Sequence, residues 1–399
     1  MLKKMLKSYD YTLILAIVLL CIFGLIMVYS SSMVIAVTRY QLSSDYFFEK
    51  QKTSLVIASF VFLFTMLFPY RRLQNSRLLM LVMLGSVSLL LAVFFFGFVA
   101  GGAQSWIKLG ARSIQPSEYM KLAVIIYLSA MYAKKQKVIN DMKHGVMPPI
   151  LFVVFVLICI VIQPDLGTAF IIFLISASII TSSGMNLKTI GKLTILGSIG
   201  AIIFALIMLA FGVFSGYQLD RFTGFMKPFE TIDGAGYQLV NSYIAIAGGG
   251  VTGVGLGQSV QKYGYLPEAH TDFIMSIVAE ELGLFGVAFV LFLIAFIIFK
   301  ALHLARKCED PFGSLLAIGI ASMFGIQSFI NLGGVTGLIP ITGVTLPFIS
   351  YGGSSLLVLM ASAGLLVNVS MQHNYRQKFK HAQTDDSQKI KMDNFSRSF

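Results

Sequence analysis

Long apolar runs alternate with short polar links along almost the whole chain. About 20 consecutive apolar residues are needed to cross a bilayer as a helix, and by that measure the pattern predicts ten membrane-spanning helices. These helices lie at about 11–33, 53–69, 78–99, 117–133, 146–162, 166–183, 190–214, 271–299, 312–332 and 346–370. The predicted fold class is therefore an all-α polytopic membrane protein, whose longest link, residues 215–270, joins the seventh helix to the eighth.

The composition agrees with this pattern. Of the 399 residues, 56% are hydrophobic and 12% are charged, and the mean hydropathy is +0.81. These values exclude a water-soluble protein with a polar surface. The three cysteines show no metal-type spacing, and their odd number argues against a disulfide framework.

The charged residues give the orientation of the helices. Most of the 30 Lys and Arg residues fall on one side of the predicted membrane, including those before residue 11 and those after residue 370. The positive-inside rule makes that side cytoplasmic, so both termini are cytoplasmic and the 215–270 loop is extracellular. The net charge of +12 is then a topology signal and indicates no nucleic-acid partner. We predict one transmembrane domain, residues 1–370, followed by a basic cytoplasmic tail, residues 371–399, that is disordered.

A pair of opposite charges follows Pro116 at the outer end of the fourth predicted helix. Glu118 and Lys121 are three residues apart, so they lie on one helix face. One interpretation is structural: Glu118 complements the helix N-terminus while Lys121 reaches to the membrane interface. The other is that both side chains form the wall of a polar cavity, because ionisable groups inside a membrane are costly and generally functional. Arg112 and Lys108, just before this motif, are candidates for phosphate contact.

Two further motifs mark outer turns. In QPDLGTAF, residues 163–170, Asp165 lies at a tight turn, where it either caps the next helix or faces a site. The motif AGGGVTGVGLGQS, residues 247–259, is rich in glycine, but no βαβ pattern surrounds it, which excludes a dinucleotide-binding loop. Its backbone N–H groups are compatible with contact to a substrate diphosphate.

The densest group of acids lies in YLPEAHTDFIMSIVAEELG, residues 265–283. Thr271 is placed to cap the eighth helix, which puts Asp272 in the first turn, where the helix dipole favours a carboxylate. This alone makes Asp272 a simple capping acid. Glu268, His270 and Asp272 also have the residue types of metal ligands, but their spacing matches no zinc motif.

Carboxylates, a few cations and glycine-rich backbone thus converge at the outer face. Glu280 and Glu281 lie about two to three helical turns deeper, and we interpret them as structural or coupling residues. Because ATP is scarce outside the cell, a substrate there has to arrive activated, and a sugar carried on a lipid diphosphate meets that condition. Its transfer needs a carboxylate base for the acceptor hydroxyl and positive charge, from Lys, Arg or a divalent ion, for the leaving diphosphate.

Five segments together resemble the SEDS family of shape, elongation, division and sporulation proteins, which includes FtsW and RodA. They are RSIQPSEYMKL, QPDLGTAF, GYQLVNSYIAIAGGGVTGVGLGQS, GYLPEAHTDFIMSIVAEELGLFG and GLIPITGVTLPFISYGGSS. They occur in the family's order, and the resemblance spans about residues 10–370. It implies a peptidoglycan glycosyltransferase that polymerises lipid II into glycan strands outside the bacterial cytoplasmic membrane.

The resemblance also implies roles for individual residues. Asp272 matches the essential acid of the family's HTDF motif, either as general base towards the GlcNAc 4-hydroxyl of the acceptor or as ligand to a divalent ion, Mg²⁺ or Mn²⁺. Glu118 and Lys121 match a polar pair in the central cavity, while Glu268 and His270 support the site. The further cavity positions are Asp165, Ser350, Gly352, Gly353 and Ser354.

The implied partners are lipid II, a cognate class B penicillin-binding protein transpeptidase and other membrane proteins of the divisome. GYLPEAHTDFIM and SVQKY are closer to the division-type branch of Gram-positive bacteria, which implies work at the division septum, whereas PITGV is shared with the elongation-type branch. The alternative from another class is a flippase that moves lipid II without chemistry. A flippase also needs polar groups along the inner halves of its helices, but the acids within the membrane cluster outward, apart from Glu280 and Glu281.

Overall fold

The structure is a computed structural model that describes residues 2–100, 103–110, 112–210 and 216–396. Its helices are α1 (Leu2–Leu6), α2 (Tyr11–Thr38), α3 (Tyr46–Leu67), α4 (Ser76–Phe96), α5 (Pro116–Lys134), α6 (Met147–Ile162), α7 (Leu166–Thr181), α8 (Leu187–Ala210), α9 (Gly216–Met226), α10 (Tyr237–Gly249), α11 (Ile274–Lys307), α12 (Pro311–Val335) and α13 (Gly353–Ser396). Three short strands, β1 (Gly97–Ala100), β2 (Ala103–Leu109) and β3 (Arg112–Ile114), lie between α4 and α5.

Helices occupy all ten of the segments predicted from the hydropathy pattern. Each of the ten has a counterpart, namely α2 to α8 and α11 to α13. Among the described residues, seven segments are long and apolar enough to cross a membrane, and α7 is a shorter apolar helix. The prediction of a polytopic, mainly helical membrane protein is confirmed.

A small antiparallel sheet, with β2 between β1 and β3, is not foreseen by the hydropathy pattern. The helix predicted over 78–99 ends at Phe96, because aromatic and β-branched residues such as Phe98 and Val99 favour an extended chain. Ile107 in the central strand is paired on both sides. The sheet leads directly into α5.

The sequence predicts one continuous helix over 271–299, but α11 begins at Ile274 and is broken at Gly283. Gly283 has φ 61° and ψ −155°, a conformation that strains any residue with a side chain. Just beyond the break, Leu284 N donates to Gly250 O (3.1 Å). The first half of α11 is therefore a separate short helix buried in the protein.

The glycine-rich segment packs against this break, backbone to backbone. The N–H groups of Val254 and Gly255 donate to the carbonyl groups of Glu280 and Glu281, at 2.9 Å each. A Cβ on Gly253 would overlap the carbonyl oxygen of Glu281, so glycine is required for this close approach. These two N–H groups are engaged inside the protein, which argues against the diphosphate contact considered from the sequence.

The start of the C-terminal tail is helical. α13 continues to Ser396, because the residues after 370 include no Gly or Pro and several Gln and Lys residues, which favour a helix. Asn374 Nδ2 donates to Ser8 O and Lys378 Nζ donates to Lys7 O, at 3.1 Å each. The first residues of the tail thus contact the N-terminal segment, and disorder of residues 371–399 stays a prediction.

Small residues let the central helices approach one another. α12 packs against α5, α7 and α11, while α13 packs along α3. A Cβ on Gly319 of α12 would lie 2.6 Å from Ile125 of α5, and one on Gly364 of α13 would overlap Thr65 of α3. Such contacts are typical of membrane helices. They gather the outer ends of α5, α12 and α13, on the side opposite the basic loops, around the residues that precede α11.

Candidate functional site

Asp272 lies immediately before α11 in a partly buried position. Thr271 does not cap the helix as predicted, because its Oγ1 donates to Glu268 Oε2 (2.7 Å) and α11 begins only at Ile274. The N–H groups of Thr271 and Phe273 both donate to Glu268 O, at 3.2 and 3.1 Å. This tight turn holds the Asp272 carboxylate outside the helix rather than in its first turn.

Gly343 brings an arginine and Asp272 together. Gly343 has φ +76°, and a Cβ built on it would lie 3.4 Å from Arg221 Nη2 and 3.5 Å from Asp272 Oδ2. Arg221 Nη1 donates to Ile341 O (3.1 Å), which holds the guanidinium at the same short segment. Arg221 was not among the residues proposed for the site from the sequence. The only indication was that it is a cation in the long loop of residues 215–270.

Burial makes the Asp272 carboxylate a base near neutral pH. Loss of solvent, together with the neighbouring Glu268, raises the pKa of Asp272 to about 7, and Arg221 opposes this rise. The cause is general, since desolvation disfavours the charged form of a carboxyl group. A carboxyl group that titrates near neutral pH is suited to take a proton from a substrate hydroxyl.

Two amide side chains of α12 hold the extended segment that follows this helix. Asn331 Nδ2 donates to Val344 O and to Asp272 O, at 2.7 Å each. One turn away, Gln327 Nε2 donates to Thr345 O (3.0 Å). Neither residue was proposed for the site from the sequence. Two amide side chains four residues apart lie on one face of an apolar helix, and this pattern could have identified both.

The predicted pair of Glu118 and Lys121 is present and buried. Lys121 Nζ lies 2.8 Å from Glu118 Oε1 and 3.0 Å from Gln327 Oε1, and the side chain of Lys121 is 1% exposed. A lysine this buried does not reach to the interface, which argues against the structural interpretation of the pair, and its place in a cavity wall stays a prediction. Through Gln327 the pair also joins the hydroxyl groups of Thr345 and Ser355.

Asp165 caps α7, as one interpretation of its turn predicts, and also joins neighbouring elements. Its Oδ1 accepts from Thr168 N (3.2 Å), and its Oδ2 accepts from Gln115 Nε2 (3.0 Å) and Ser117 Oγ (2.9 Å). Gln115 N in turn donates to Ser354 Oγ (3.2 Å). Asp165 and Ser354 therefore position the start of α5, the helix that carries the buried ion pair.

Ser350 and Gly352 shape the turn before α13. Ser350 Oγ accepts from Leu346 N (2.8 Å). Gln51 of α3 brackets the turn, since its Nε2 donates to Ser350 O and its Oε1 accepts from Gly352 N, at 3.3 Å each. Gly353 then begins α13. These predicted cavity residues fix the backbone at the outer end, and Gln51 is a partner that the sequence did not indicate.

His270 packs as a neutral ring. Its ring centroid lies 4.5 Å from that of Phe47 and 5.6 Å from that of Tyr351, and its carbonyl oxygen accepts from Tyr351 N (2.9 Å). Burial, with Arg39 nearby, lowers the pKa of His270 to about 4. His270 therefore joins α3 to the turn before α13, and its support of Asp272 stays a prediction.

Arg112 and Lys108 lie on the small sheet. Lys108 Nζ lies 5.2 Å from the centre of the Phe98 ring. Arg112 is near enough to Tyr351 to oppose the burial that raises the pKa of that phenol to about 12. The structure thus places Arg112 close to the turn before α13, and phosphate contact by either cation stays a prediction.

The side chains around Asp272 show whether the protein alone could hold the predicted divalent ion. No three His, Cys, Asp or Glu side chains are grouped to hold a metal ion within the part of the chain that the structure describes. The charged groups that act on Asp272 are Glu268 and Arg221. The described residues therefore do not form a metal site by themselves. The predicted site has a single protein ligand, Asp272.

Glu280 and Glu281 have partners that the sequence did not reveal. Glu281 Oε1 lies 2.9 Å from Lys262 Nζ, both side chains are 0% exposed, and Ser30 Oγ lies 2.7 Å from each Glu281 carboxylate oxygen. Glu280 accepts a hydrogen bond from Ser259 Oγ. This cluster fastens the first half of α11 to the loop before it and to α2, and the interpretation of both acids as structural or coupling residues stays a prediction.

Known proteins resemble this chain over most of its length. The sequence profile of a family described as "Cell cycle protein" matches residues 11–375. A probable peptidoglycan glycosyltransferase FtsW of Bacillus subtilis (strain 168) is 55% identical over 382 residues, which cover 95% of each chain. The stage V sporulation protein E of the same organism is 40% identical over 372 residues, which cover 92% of this chain and 98% of the relative.

Two solved structures share the fold. One chain, from work described as "Structural coordination of polymerization and crosslinking by a peptidoglycan synthase complex", matches with a TM-score of 0.72 and 23% identity, over 92% of this chain and 98% of its own. The rod shape determining protein RodA of Thermus thermophilus matches with a TM-score of 0.63 and 24% identity, over 91% of this chain and 96% of its own. At these identities the likeness concerns the fold.

Proposed function

This chain belongs to the FtsW/RodA/SpoVE family of cell cycle proteins, and on that premise we propose that it is a peptidoglycan glycosyltransferase that polymerises lipid II for septal wall synthesis. The family membership confirms the resemblance drawn from the five sequence motifs. The 55% identity to a protein named as a probable peptidoglycan glycosyltransferase FtsW supports the activity and the division-type assignment. The protein is embedded in the membrane through several helices.

The observation that carries the mechanism is the Asp272 carboxylate beside Arg221 at Gly343. Deprotonated Asp272 takes the proton of the GlcNAc 4-hydroxyl of the acceptor while that oxygen forms a bond to the anomeric carbon of the donor. The bond between this carbon and the diphosphate oxygen breaks, and the diphosphate leaves with the electron pair. Arg221 supplies positive charge where the leaving group develops negative charge.

The other predicted cations have different surroundings. Lys121 is buried and matched by Glu118, so we do not assign it to phosphate contact. We propose phosphate contact for the two cations on the sheet, Arg112 and Lys108, because both are exposed and Arg112 lies near the turn before α13.

We propose that a divalent ion, Mg²⁺ or Mn²⁺, binds together with the substrate rather than before it. Mg²⁺ is commonly held by one or two carboxylates plus substrate phosphates and waters, and Asp272 offers one such carboxylate. The ion would supply positive charge to the diphosphate. Titration of purified protein with each metal, with and without lipid II, tests this: binding without substrate contradicts the proposal.

The finer details of location and partnership are also proposals. The distribution of Lys and Arg supports cytoplasmic termini and an extracellular site. We propose the division septum as the place of work, and a cognate class B penicillin-binding protein together with other divisome membrane proteins as the partners. A tagged copy that decorates the side wall instead of the septum would favour the elongation-type role.

The decisive experiment supplies purified protein with lipid II, in the presence and absence of the cognate transpeptidase, and separates the glycan products on a gel. We expect polymer from the wild-type protein and none from Asp272→Asn, with both proteins folded. Normal translocation of lipid II across vesicles without any polymer would contradict the enzyme and favour the flippase.

A further inference from the structure

A small cleft opens beside Asp272, between the outer end of α12 and the segment that follows it. Its lining includes Asp272, Asn331, Thr342 and Gly343. Gly343 is exposed, so the cleft communicates with the outer surface. Any group that occupies it lies next to the carboxylate that we assign as the base.

The side chain of Asn331 is buried in this lining with half of its hydrogen-bonding capacity unused. It is 4% exposed, and Nδ2 donates to Asp272 O and Val344 O. These bonds fix the orientation of the amide, because a swapped amide would turn its oxygen towards two carbonyl oxygens. Asn331 Oδ1 has no hydrogen-bond partner among the described residues. A buried acceptor without a partner costs free energy, so a bound donor is the natural explanation for it.

We propose that Asn331 Oδ1 binds the acceptor sugar, by accepting a hydrogen bond from a hydroxyl that flanks the 4-hydroxyl of GlcNAc. This inference rests on the proposed function. The free hydroxyls that flank the 4-hydroxyl are the 3-hydroxyl, on the adjacent ring carbon C3, and the 6-hydroxyl, on the CH₂ group attached to C5. No covalent bond changes at Asn331, which acts by binding alone.

The amide of Asn331 then positions both the base, Asp272, and the nucleophile, the acceptor sugar. Nδ2 fixes the backbone of Asp272, and Oδ1 fixes the sugar that Asp272 deprotonates. Holding base and nucleophile on one rigid group lowers the entropic part of the barrier. It also selects the substrate, because a sugar without the hydroxyl leaves Oδ1 buried and unpaired.

The test combines a protein variant with substrate analogues in a double-mutant cycle. Wild-type protein and Asn331→Ala are assayed with lipid II and with analogues whose GlcNAc lacks the 3-hydroxyl or the 6-hydroxyl. We expect one analogue to lower kcat/KM of the wild type on the order of tenfold, and to lower that of Asn331→Ala much less. If Asn331 only held the backbone, the analogue penalty would be equal in both proteins, and that result overturns the proposal.

Ser328→Ala is the matched control. Ser328 lies on the same helix, is 5% exposed and has an Oγ without a partner among the described residues, but it is not part of the cleft lining. This variant should keep the full analogue penalty of the wild type.

The wild-type measurements stand even if Asn331→Ala does not fold. If the wild type has the same kcat/KM with both analogues as with lipid II, the proposal is overturned. Asn331 Oδ1 would then be bonded to an ordered water. Failure of the wild type to polymerise natural lipid II would instead contradict the proposed function itself.

Discussion

Gln327 and Asn331 lie one turn apart on α12 and donate their side-chain amides to the carbonyl groups of residues 345 and 344, respectively. Gln327 also accepts a hydrogen bond from Lys121, and Asn331 also donates to the backbone of Asp272. One face of a single helix thus joins the buried ion pair to the acid that precedes α11. Because the two places share a backbone segment, structural changes at one are expected to reach the other.

The activity should depend on the protonation of Asp272. Since its pKa is raised to about 7 and a base works only when deprotonated, the polymerisation rate should rise about tenfold per pH unit below that value and level off above it. Initial rates of glycan synthesis over a range of pH values measure this. His270→Gln is the control: the pKa of His270 is lowered to about 4, so the midpoint near 7 should remain. A midpoint that moves with His270 would contradict the assignment.

The raised pKa of Asp272 also predicts a change in stability. The folded protein holds the Asp272 proton up to about pH 7, whereas the unfolded chain releases it near the ordinary value of 3.8, so the folded state binds more protons between these values. The free energy of unfolding contributed by Asp272 therefore falls as the pH rises through this window. Asp272→Asn should unfold at a higher temperature than the wild type at pH 8, with a smaller difference near pH 4. An equal difference at both pH values would contradict the shift.

The Glu118 and Lys121 pair should show non-additive stability. Glu118→Ala leaves the Lys121 ammonium buried at 1% exposure without its carboxylate, which costs about 3–5 kcal/mol of the free energy of unfolding. Glu118→Ala combined with Lys121→Ala should recover part of that loss. Thermal unfolding of the purified single and double variants measures the coupling. Strictly additive losses would show that the pair does not stabilise the fold as a unit.

Features that depend on residues close together in the chain could be predicted from the sequence. Apolar runs of membrane length predicted the helices, and the spacing of Glu118 and Lys121 predicted their contact, which the structure shows at 2.8 Å. Asp272 was singled out by a motif rather than by its surroundings. Its raised pKa depends on burial produced by packing, which no local pattern reports.

The features that were missed depend on residues far apart in the chain. The amide of Asn331 meets Val344, and Arg221 meets Ile341, only because the chain after α12 folds back along the end of that helix. The break at Gly283 had no local signal, since single glycines are frequent in membrane helices. It is explained by the glycine-rich segment that packs there, and that segment precedes α11.

Gly343 should be required for catalysis more than for folding. Its φ of +76° makes an alanine strained by about 1–2 kcal/mol, and the added methyl would lie 3.4 Å from Arg221 Nη2 and 3.5 Å from Asp272 Oδ2. Gly257 has φ +81° with open space around it, so Gly257→Ala carries the strain alone. We expect similar losses of stability in both alanine variants but a loss of polymerisation on the order of tenfold or more only in Gly343→Ala. Equal rates in both variants would contradict a role for Gly343 in keeping Arg221 and Asp272 together.

The buried contact of Lys262 with Glu281 should stabilise the short helix that follows Asp272. Lys262→Met leaves the fully buried Glu281 carboxylate without its cation, which costs about 3–5 kcal/mol, whereas Lys262→Met combined with Glu281→Met should be closer to the wild type. Lys227→Met is the matched control, because Lys227 and Glu230 pair while 60% and 68% exposed, and such pairs contribute about 0–1 kcal/mol. Thermal unfolding and polymerisation are measured on all variants. Polymerisation should fall with stability in Lys262→Met, since the cluster holds the helix behind the catalytic acid, and equal behaviour of the two lysine variants would contradict this role.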